Sequence, residues 1–257
     1  MLRKELNGVV FLEFSLLQEF TRLQHAVFTK HGGVSEGSYA SLNAAFNTGD
    51  LDENVQENRR RIQNVFTQQD KAPHLFSLTQ VHSDIVVAVD EPLSTYETPP
   101  SGDGLLCAIP HRALLIKHAD CQAAIFYDPV HHACANVHAG WRGNVQNIYK
   151  KTIGLMKQKY GSKPEDLFVC ISPSLGPQAS EFSNYENELP KEFLPFQVAP
   201  TYFDLWEISK WQLMQENVLA HHIEIAQICS RSTPDDFFSY RREKASGRNA
   251  TVVALLP

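Results

Sequence analysis

Four short runs of strand-forming residues follow one another near the middle of the chain, and no helical pattern separates them. The runs are Gly104 to Ile109, Ala113 to Lys117, Ala123 to Tyr127 and Ala133 to His138. Parallel strands need a long crossover, usually a helix, whereas antiparallel neighbours need only a turn. The spacing therefore predicts an antiparallel or mixed sheet at the centre of the molecule and disfavours a doubly wound parallel sheet.

The rest of the chain continues the same mixture of strands and amphipathic helices. Apolar residues at helical spacing predict helices that begin at Asp52 and that span Asn144 to Tyr160 and Phe203 to His222. The acidic, proline-rich stretch at residues 90–100 is predicted to be a surface excursion. No repeat and no convincing boundary divides the pattern, so one α+β domain over residues 1–257 is predicted. Further strands are predicted at Gly8 to Phe14, His25 to Thr29, His74 to Gln80, Ile85 to Val89, Leu167 to Ile171, Ile223 to Cys229 and Thr251 to Leu256.

Charge and hydropathy exclude several classes of partner. A net charge of -6 and a pI near 6.0 give no electrostatic basis for nucleic-acid binding, which requires clustered basic residues. No uncharged apolar run reaches the roughly 18 to 20 residues that a membrane helix needs. The apolar N-terminal run is broken by Glu13 and lacks a cleavage site. We therefore expect a cytoplasmic protein without nucleic-acid or membrane partners, and a monomer is favoured.

Reactive side chains are concentrated between His118 and Gly143. Cys121 lies at the start of one predicted strand and His138 at the end of another, while His82 occupies an equivalent strand end. Two imidazoles and one thiolate form a three-ligand set for zinc that leaves a fourth position for water or substrate. Cys121 and His138 could equally form a nucleophile and base pair, in which imidazole lowers the pKa of the thiol. The residues alone leave both hypotheses open.

Other residues of these segments have simpler interpretations. The spacing places Arg59 on or beside the buried face of its helix, where arginine needs a carboxylate partner or a ligand. Trp141 is predicted to form a wall of the cleft, and Arg142 is a candidate anion contact at the start of the following helix. Five cysteines without a CxxC motif indicate reduced thiols. Cysteines 107, 134, 170 and 229 are predicted to be small core residues.

Several motifs together resemble the YfiH family, whose bacterial members are also called polyphenol oxidases or laccase-domain proteins. The resemblance extends from about Thr29 to the C-terminus. The motifs that carry it are TQVHS at Thr79 to Ser83, SGDGLL at Ser101 to Leu106, HADC at His118 to Cys121, HAGWRG at His138 to Gly143, and FFSYRR at Phe237 to Arg242 with Gly247 and Arg248.

The resemblance implies an α+β fold of mixed, layered sheets flanked by helices in the order α/β/β/α. It implies that His82, Cys121 and His138 hold zinc, with copper as the alternative metal. The implied activities are phosphorolysis of adenosine, inosine and methylthioadenosine, which is a transferase reaction, and hydrolytic deamination of adenosine. It also implies two alternatives: muropeptide editing in peptidoglycan synthesis, and copper-dependent phenol oxidation.

A zinc-dependent purine nucleoside phosphorylase with adenosine deaminase activity is the leading hypothesis. Zinc lowers the pKa of a bound water and so favours deamination, while phosphorolysis needs an anion site beside the ribose. Asp103 and Asp120 are candidate proton carriers, or acceptors of hydrogen bonds from the three metal-ligand residues, which are themselves candidate catalytic residues. The candidate residues for binding substrate or phosphate are Lys30, Asn43, Arg59, Arg142, Arg241 and Arg248.

Three other functions compete with this hypothesis. A Cys-His amide hydrolase acting on muropeptide precursors would use Cys121 as nucleophile and His138 as base. A metal-binding protein without turnover would hold zinc and leave nucleosides unchanged. A copper-dependent polyphenol oxidase is the least favoured, because a multicopper enzyme needs many more histidine ligands than these three residues provide.

Overall fold

The computed structural model describes residues 1–68, 71–91 and 98–257, so residues 92–97 of the predicted surface excursion lie outside the described residues. Over the described ranges the chain forms fourteen strands and six helices. The strands are β1 Leu2–Leu6, β2 Val9–Glu13, β3 Leu23–Phe28, β4 His74–Phe76, β5 Val86–Ala88, β6 Gly104–Cys107, β7 Arg112–His118, β8 Gln122–Asp128, β9 Ala133–Ala139, β10 Phe168–Ile171, β11 Gln197–Ala199, β12 Tyr202–Phe203, β13 Ile223–Ile225 and β14 Asn249–Leu255. The helices are α1 Asp52–Val65, α2 Trp141–Val145, α3 Ile148–Tyr160, α4 Tyr185–Glu188, α5 Leu205–Gln215 and α6 Tyr240–Glu243.

The strands form two six-stranded sheets and one two-stranded sheet within the described ranges. The first sheet has the order β1-β2-β3-β14-β7-β4, and the second has the order β13-β10-β8-β9-β6-β5. Neighbours are antiparallel except at three edges, where β4 pairs with β7, β13 with β10 and β5 with β6 in parallel. The prediction of a mixed sheet is therefore confirmed.

Strand β7 shows why the central runs are apolar along their whole length. Leu114 and Ile116 point into a core that lies between the two sheets, whereas Ala113 and Leu115 pack on the other face of the first sheet beneath α1. Because successive side chains of a strand alternate between faces, a strand covered on both sides needs apolar residues at every position. All four of these residues are fully buried.

Helices cover the outer face of each sheet. Ile62 of α1 packs on the first sheet, and Ile148, Ile153 and Met156 of α3 pack on the second together with Leu213 of α5. The layers therefore follow the order α/β/β/α, as the family resemblance implies. None of the helices in the described parts of the chain is long and apolar enough to cross a membrane.

The predicted helix bounds need two corrections. The helix predicted from Phe203 begins instead after Asp204, whose carboxylate caps the first turn of α5 by accepting from Trp206 N and Glu207 N. The same helix ends at Gln215, because Asn217 takes a left-handed φ of 67°. The helix predicted from Asn144 to Tyr160 is divided into α2 and α3.

Asn147 separates α2 from α3. It has a φ of 51° and its side chain accepts from Lys150 N, so it ends one helix and caps the next.

The core positions predicted for Cys107, Cys134 and Cys170 are confirmed, since all three are fully buried. The same prediction is wrong for Cys229, which is partly exposed.

Candidate metal centre

Three elements bring His82, Cys121 and His138 to one end of the second sheet. His138 lies at the end of β9, and Cys121 immediately precedes β8, which pairs with β9 so that Ala123 faces His138. His82 lies in the loop that follows β4. One donor atom from each residue lies within 4.8 Å of the others, and Cys121 Sγ is 3.9 Å from His82 Nε2. The two imidazole rings meet edge to face with centroids 4.9 Å apart.

Asp103 holds two of the three ligand residues in place from behind. Its Oδ1 accepts from His138 Nδ1 at 2.9 Å and from the His82 backbone N–H at 3.0 Å. Its Oδ2 accepts from Ser83 N at 2.6 Å and from Ser83 Oγ at 2.8 Å. A proton on His138 Nδ1 leaves the lone pair on Nε2 for a metal, which is the usual orientation of a histidine ligand backed by a carboxylate.

The electrostatics of the centre favour a deprotonated sulfur. Burial raises the pKa of Asp103, but hydrogen bonds from His138 and Ser83 outweigh burial and lower it to about 2. Burial also raises the pKa of Cys121, but His138 and His82 lower it to about 6. Burial lowers the pKa of His138, whereas Cys121 and Asp103 raise it to about 9. A metal cation would stabilise the same thiolate that the imidazoles stabilise here.

The close packing of these three side chains and their different solvent exposures suit a metal ion that keeps one coordination position open. A Cβ added to Gly140 would lie 3.0 Å from Cys121 Sγ and 3.0 Å from His82 Cδ2, so a larger residue there would press on both side chains. His138 is buried, Cys121 is half-buried and His82 is exposed. Across residues 1–68, 71–91 and 98–257, this is the one group of three or more metal-ligating side chains. One thiolate and two imidazoles suit a single zinc ion with a free position.

The three ligand residues open into a cavity of about 700 Å³, which we call the cleft. Two aromatic side chains, Phe46 and Tyr240, also line it. Three cationic side chains complete this part of its wall: Arg59, Lys117 and Arg248. Arg59 and Arg248 are two of the predicted binding residues. Lys117 is not, because it follows the apolar run Ala113 to Ile116 within one strand and no sequence motif marks it.

The remaining predicted binding residues do not line the cleft. Asn43 is fully buried, and its Nδ2 donates to Asp50 Oδ2 while its Oδ1 accepts from the backbone N–H groups of Ala45 and Arg248. Arg142 is exposed and its guanidinium lies 4.3 Å from the Trp141 ring centroid. These contacts keep both side chains away from the metal-ligand residues.

Arg241, Lys30 and Trp141 also lie outside the cleft. The Arg241 guanidinium donates to the backbone oxygen of Glu181 at 3.2 Å, and Lys30 is absent from the cleft wall. Trp141 packs edge to face on Phe182, with ring centroids 6.2 Å apart, instead of forming a cleft wall.

Asp120 has a supporting position like that of Asp103. It takes a φ of 85°, and its carboxylate accepts from Ser230 Oγ at 2.8 Å and from the Arg241 backbone N–H at 2.5 Å. These bonds fix the turn that presents Cys121. Neither Asp103 nor Asp120 lines the cleft, and each carboxylate contacts the segment that carries a metal-ligand residue.

Residues 24–256 match the family described as multi-copper polyphenol oxidoreductase laccase. A curated purine nucleoside phosphorylase from Bacteroides thetaiotaomicron is 31% identical over 256 residues, covering 90% of each chain. Purine nucleoside phosphorylase YfiH of Escherichia coli is 29% identical over 239 residues, covering 89% of this chain and 92% of that one. The crystal structure of YlmD from Geobacillus stearothermophilus matches with a TM-score of 0.85 at 27% identity, over 99% of this chain and 98% of that chain. The chain therefore belongs to the multi-copper polyphenol oxidoreductase laccase family, which includes the YfiH and YlmD proteins.

Proposed function

We propose that this protein is a zinc-dependent purine nucleoside phosphorylase that cleaves adenosine, inosine or methylthioadenosine with phosphate, and that it also deaminates adenosine. The observation that carries the proposal is that one cleft is lined both by the three metal-ligand residues and by cations. Phosphorolysis brings a nucleoside and a phosphate anion together, so it needs a site for the nucleoside and cations for the phosphate in the same cleft. Relatives named purine nucleoside phosphorylase at about 30% identity support the same reaction.

Aromatic side chains of the cleft suit the purine. Tyr240 lines the cleft and is 54% exposed, so its ring is accessible from the cleft. Phe46 lines the cleft as well. Flat π faces are suitable partners for a flat heterocycle, and a cavity of about 700 Å³ is within the range of small-molecule sites. We infer that the base lies against one of these rings.

The ligand residues supply rigidity as well as donor atoms. Zinc, when bound, supplies a Lewis acid that polarises a substrate atom or lowers the pKa of a water molecule, which deamination requires. Asp103 keeps a proton on His138 Nδ1 and accepts from the His82 backbone N–H at 3.0 Å, so the His138 imidazole and the His82 backbone are both held in position. The cations of the cleft attract the anionic substrate and hold it near the sugar.

Turnover with each substrate tests the proposal directly. Zinc-loaded protein is incubated with adenosine, inosine or methylthioadenosine, with and without phosphate, and the products are separated by chromatography. We expect free base only when phosphate is present, inosine from adenosine without phosphate, and loss of both reactions on chelation. Fully zinc-loaded protein that leaves all three nucleosides unchanged would refute the proposal. Copper-loaded protein that oxidises a phenol would instead support the family's oxidase description.

The Cys121 and His138 pair supports a second candidate, an amide hydrolase that edits muropeptide precursors. A buried imidazole that stabilises a neighbouring thiolate is also the arrangement of a cysteine hydrolase. This candidate predicts amide cleavage that survives chelation and is lost when iodoacetamide alkylates Cys121. Metal dependence of amide cleavage would count against it.

A further inference from the structure

Among the residues that the structure describes, Arg59 differs from its two neighbours in α1 in having no carboxylate partner. Arg60 and Arg61 both form ion pairs with Glu57, at 2.7 and 2.8 Å. Arg59 instead donates from Nε to the backbone oxygen of Ala44 at 2.9 Å and from a terminal nitrogen to Ser77 Oγ at 3.3 Å. Its guanidinium lies 4.5 Å from the Phe46 ring centroid. Every one of these partners is neutral.

Lys117 is a second cation of the cleft that has no carboxylate within ion-pair distance among the described residues. Its Nζ donates to the backbone oxygen of Leu78 at 2.6 Å. Arg59 is bound to Ser77 and Lys117 to Leu78, so two like charges are anchored to consecutive residues. Burial, together with the charge of Arg59, lowers the pKa of Lys117 to about 8, and the negative charge of Asp103 opposes part of this shift.

Two half-buried positive charges held side by side are unfavourable unless an anion joins them. Burying a charge without a partner costs free energy, and a neighbouring like charge adds to that cost. A surface lysine or arginine avoids both costs by reaching into water, as Arg60 does. Arg59 and Lys117 are instead held against the cleft wall by neutral oxygens, which fixes their positions and leaves their charges available.

Ser77 adds a hydroxyl donor at the same place. It lines the cleft, and its oxygen accepts from Arg59, so its proton remains free to donate. Arginine, lysine and hydroxyl donors around one small volume match the several acceptor oxygens and double negative charge of a phosphate group. A single carboxylate would use only part of this set.

We propose that Arg59, Lys117 and Ser77 form a subsite for a phosphate dianion in the cleft. Arg248, whose guanidinium donates to the backbone oxygens of Ser246 and Gly247, forms the adjoining wall. The phosphate group can belong to inorganic phosphate or to a phosphate monoester. The assignment rests on the proposed phosphorylase function only for the role of phosphate as co-substrate, because the binding argument uses the charges and contacts alone.

Calorimetric titration of the zinc-loaded protein with inorganic phosphate tests the subsite. Lys117→Met and Arg59→Met remove one cation each while keeping an unbranched apolar stem, and Arg60→Met is the matched control in the same helix. We expect each cleft variant to weaken phosphate binding about tenfold or more, while Arg60→Met and the zinc content of all variants stay as in the wild type. Lys117→Arg should recover part of the affinity.

Two further probes identify the source of the phosphate group. Adenosine, which has no phosphate, should bind the Lys117→Met variant as it binds the wild type. Adenosine monophosphate that loses affinity in Lys117→Met together with inorganic phosphate would assign the subsite to phosphate esters as well. Loss confined to inorganic phosphate would assign it to the free ion.

The outcomes separate this subsite from the proposed reaction. Phosphate binding that is equal in the wild type and in folded Lys117→Met would overturn the subsite, even if nucleosides are cleaved. Wild-type protein that binds neither phosphate nor adenosine monophosphate would overturn it too. Lys117-dependent phosphate binding without nucleoside cleavage would retain the subsite and remove the phosphorylase proposal. Thermal unfolding of each variant verifies its fold, and Lys117→Met decides the question if Arg59→Met does not fold.

Discussion

Buried charged groups have different partners at the two ends of the cleft. At the metal end, formed by His82, Cys121 and His138, the fully buried carboxylate of Asp103 faces the imidazole of His138 at 2.9 Å. At the cation end, formed by Arg59, Lys117 and Ser77, neutral oxygens contact both cations. Among the described residues, the fold therefore neutralises charge by a direct ion pair at one end and gives the two cations at the other end only neutral hydrogen-bond partners.

The charge at the metal end fixes the positions of neighbouring side chains, whereas the charges at the cation end are available to bind a ligand. A buried ion pair contributes little net stability but fixes the geometry of its members, whereas an unpaired buried cation is destabilising in the free protein. Substitutions at the metal end should therefore disturb both structure and metal binding. Substitutions at the cation end should weaken ligand binding and make the free protein more stable.

Replacement of Cys121 by serine is expected to have the largest effect. A hydroxyl is a far weaker zinc ligand than a thiolate, so zinc affinity should fall by more than about 100-fold, beyond the loss typical of residues behind the ligands. Elemental analysis after dialysis measures the zinc content, and chromatography measures nucleoside turnover, which should be lost in parallel. Cys229→Ser, at a partly exposed cysteine that does not line the cleft, is the control. Full zinc content in Cys121→Ser would contradict the metal assignment.

Asp103→Asn should weaken zinc binding by about 10- to 100-fold. The amide cannot supply the negative charge that orients His138 and accepts from Ser83 and the His82 backbone. Competition with a chromophoric chelator measures the zinc affinity.

Asp128 provides the matched control for Asp103. It is also fully buried, and it pairs with His131 at 2.9 Å at a position that does not line the cleft. Asp128→Asn should lower stability without changing zinc affinity. Equal zinc affinities for the two variants would show that Asp103 acts only through the stability of the fold.

Lys117→Met should make the phosphate-free protein more stable by about 1 kcal/mol at pH 7. The variant no longer buries a positive charge next to Arg59, and this gain in free energy exceeds the loss of the hydrogen bond to Leu78. Urea unfolding measures the difference. Burial and Arg59 lower the folded pKa of Lys117 from 10.5 to about 8. Between these values the unfolded chain holds a proton that the folded chain has lost, so wild-type stability rises with pH. The advantage of the variant should therefore shrink from pH 8 to pH 10.5. A variant less stable than the wild type at pH 7 would contradict the claim that the charge of Lys117 destabilises the phosphate-free protein.

Periodicity predicts most of the fold because both sheets are covered on both faces. In the sequence, the run Ala113 to Ile116 is continuously apolar, which predicts a strand. It does not show that Leu114 and Ile116 face one core while Ala113 and Leu115 face another, nor which strands are the neighbours. Strand β1 was not predicted, since all five of its residues are exposed and only its pairing with β2 orders them. Helix ends were misplaced where single residues, such as Asn147 and Asn217, take left-handed conformations.

The metal end was more predictable than the cation end for a related reason. His82, Cys121 and His138 belong to chemically distinctive motifs at strand ends, whereas Lys117 is one charge that follows an apolar run. Its role depends on which residues face it, and those residues, Ser77 and Leu78, are about forty positions away in the chain. The sequence predicts Asp103 either as a proton carrier or as an acceptor for a ligand residue, and its position behind His138 follows from the pairing of β6 with β9.

The smallest effects are expected for the cations that lie outside the cleft. Arg142 lies against Trp141, and the Arg241 side chain donates to Glu181, so Arg142→Met and Arg241→Met should leave phosphate affinity within about twofold of the wild type. Long-range attraction by exposed charges is screened at physiological salt. The same calorimetric titration, run at low and at physiological ionic strength, measures both variants beside Lys117→Met. A loss as large as that of Lys117→Met at physiological salt would mean that the anion binds at the start of α2 or α6, and the contrast between the two ends of the cleft would no longer explain where phosphate binds.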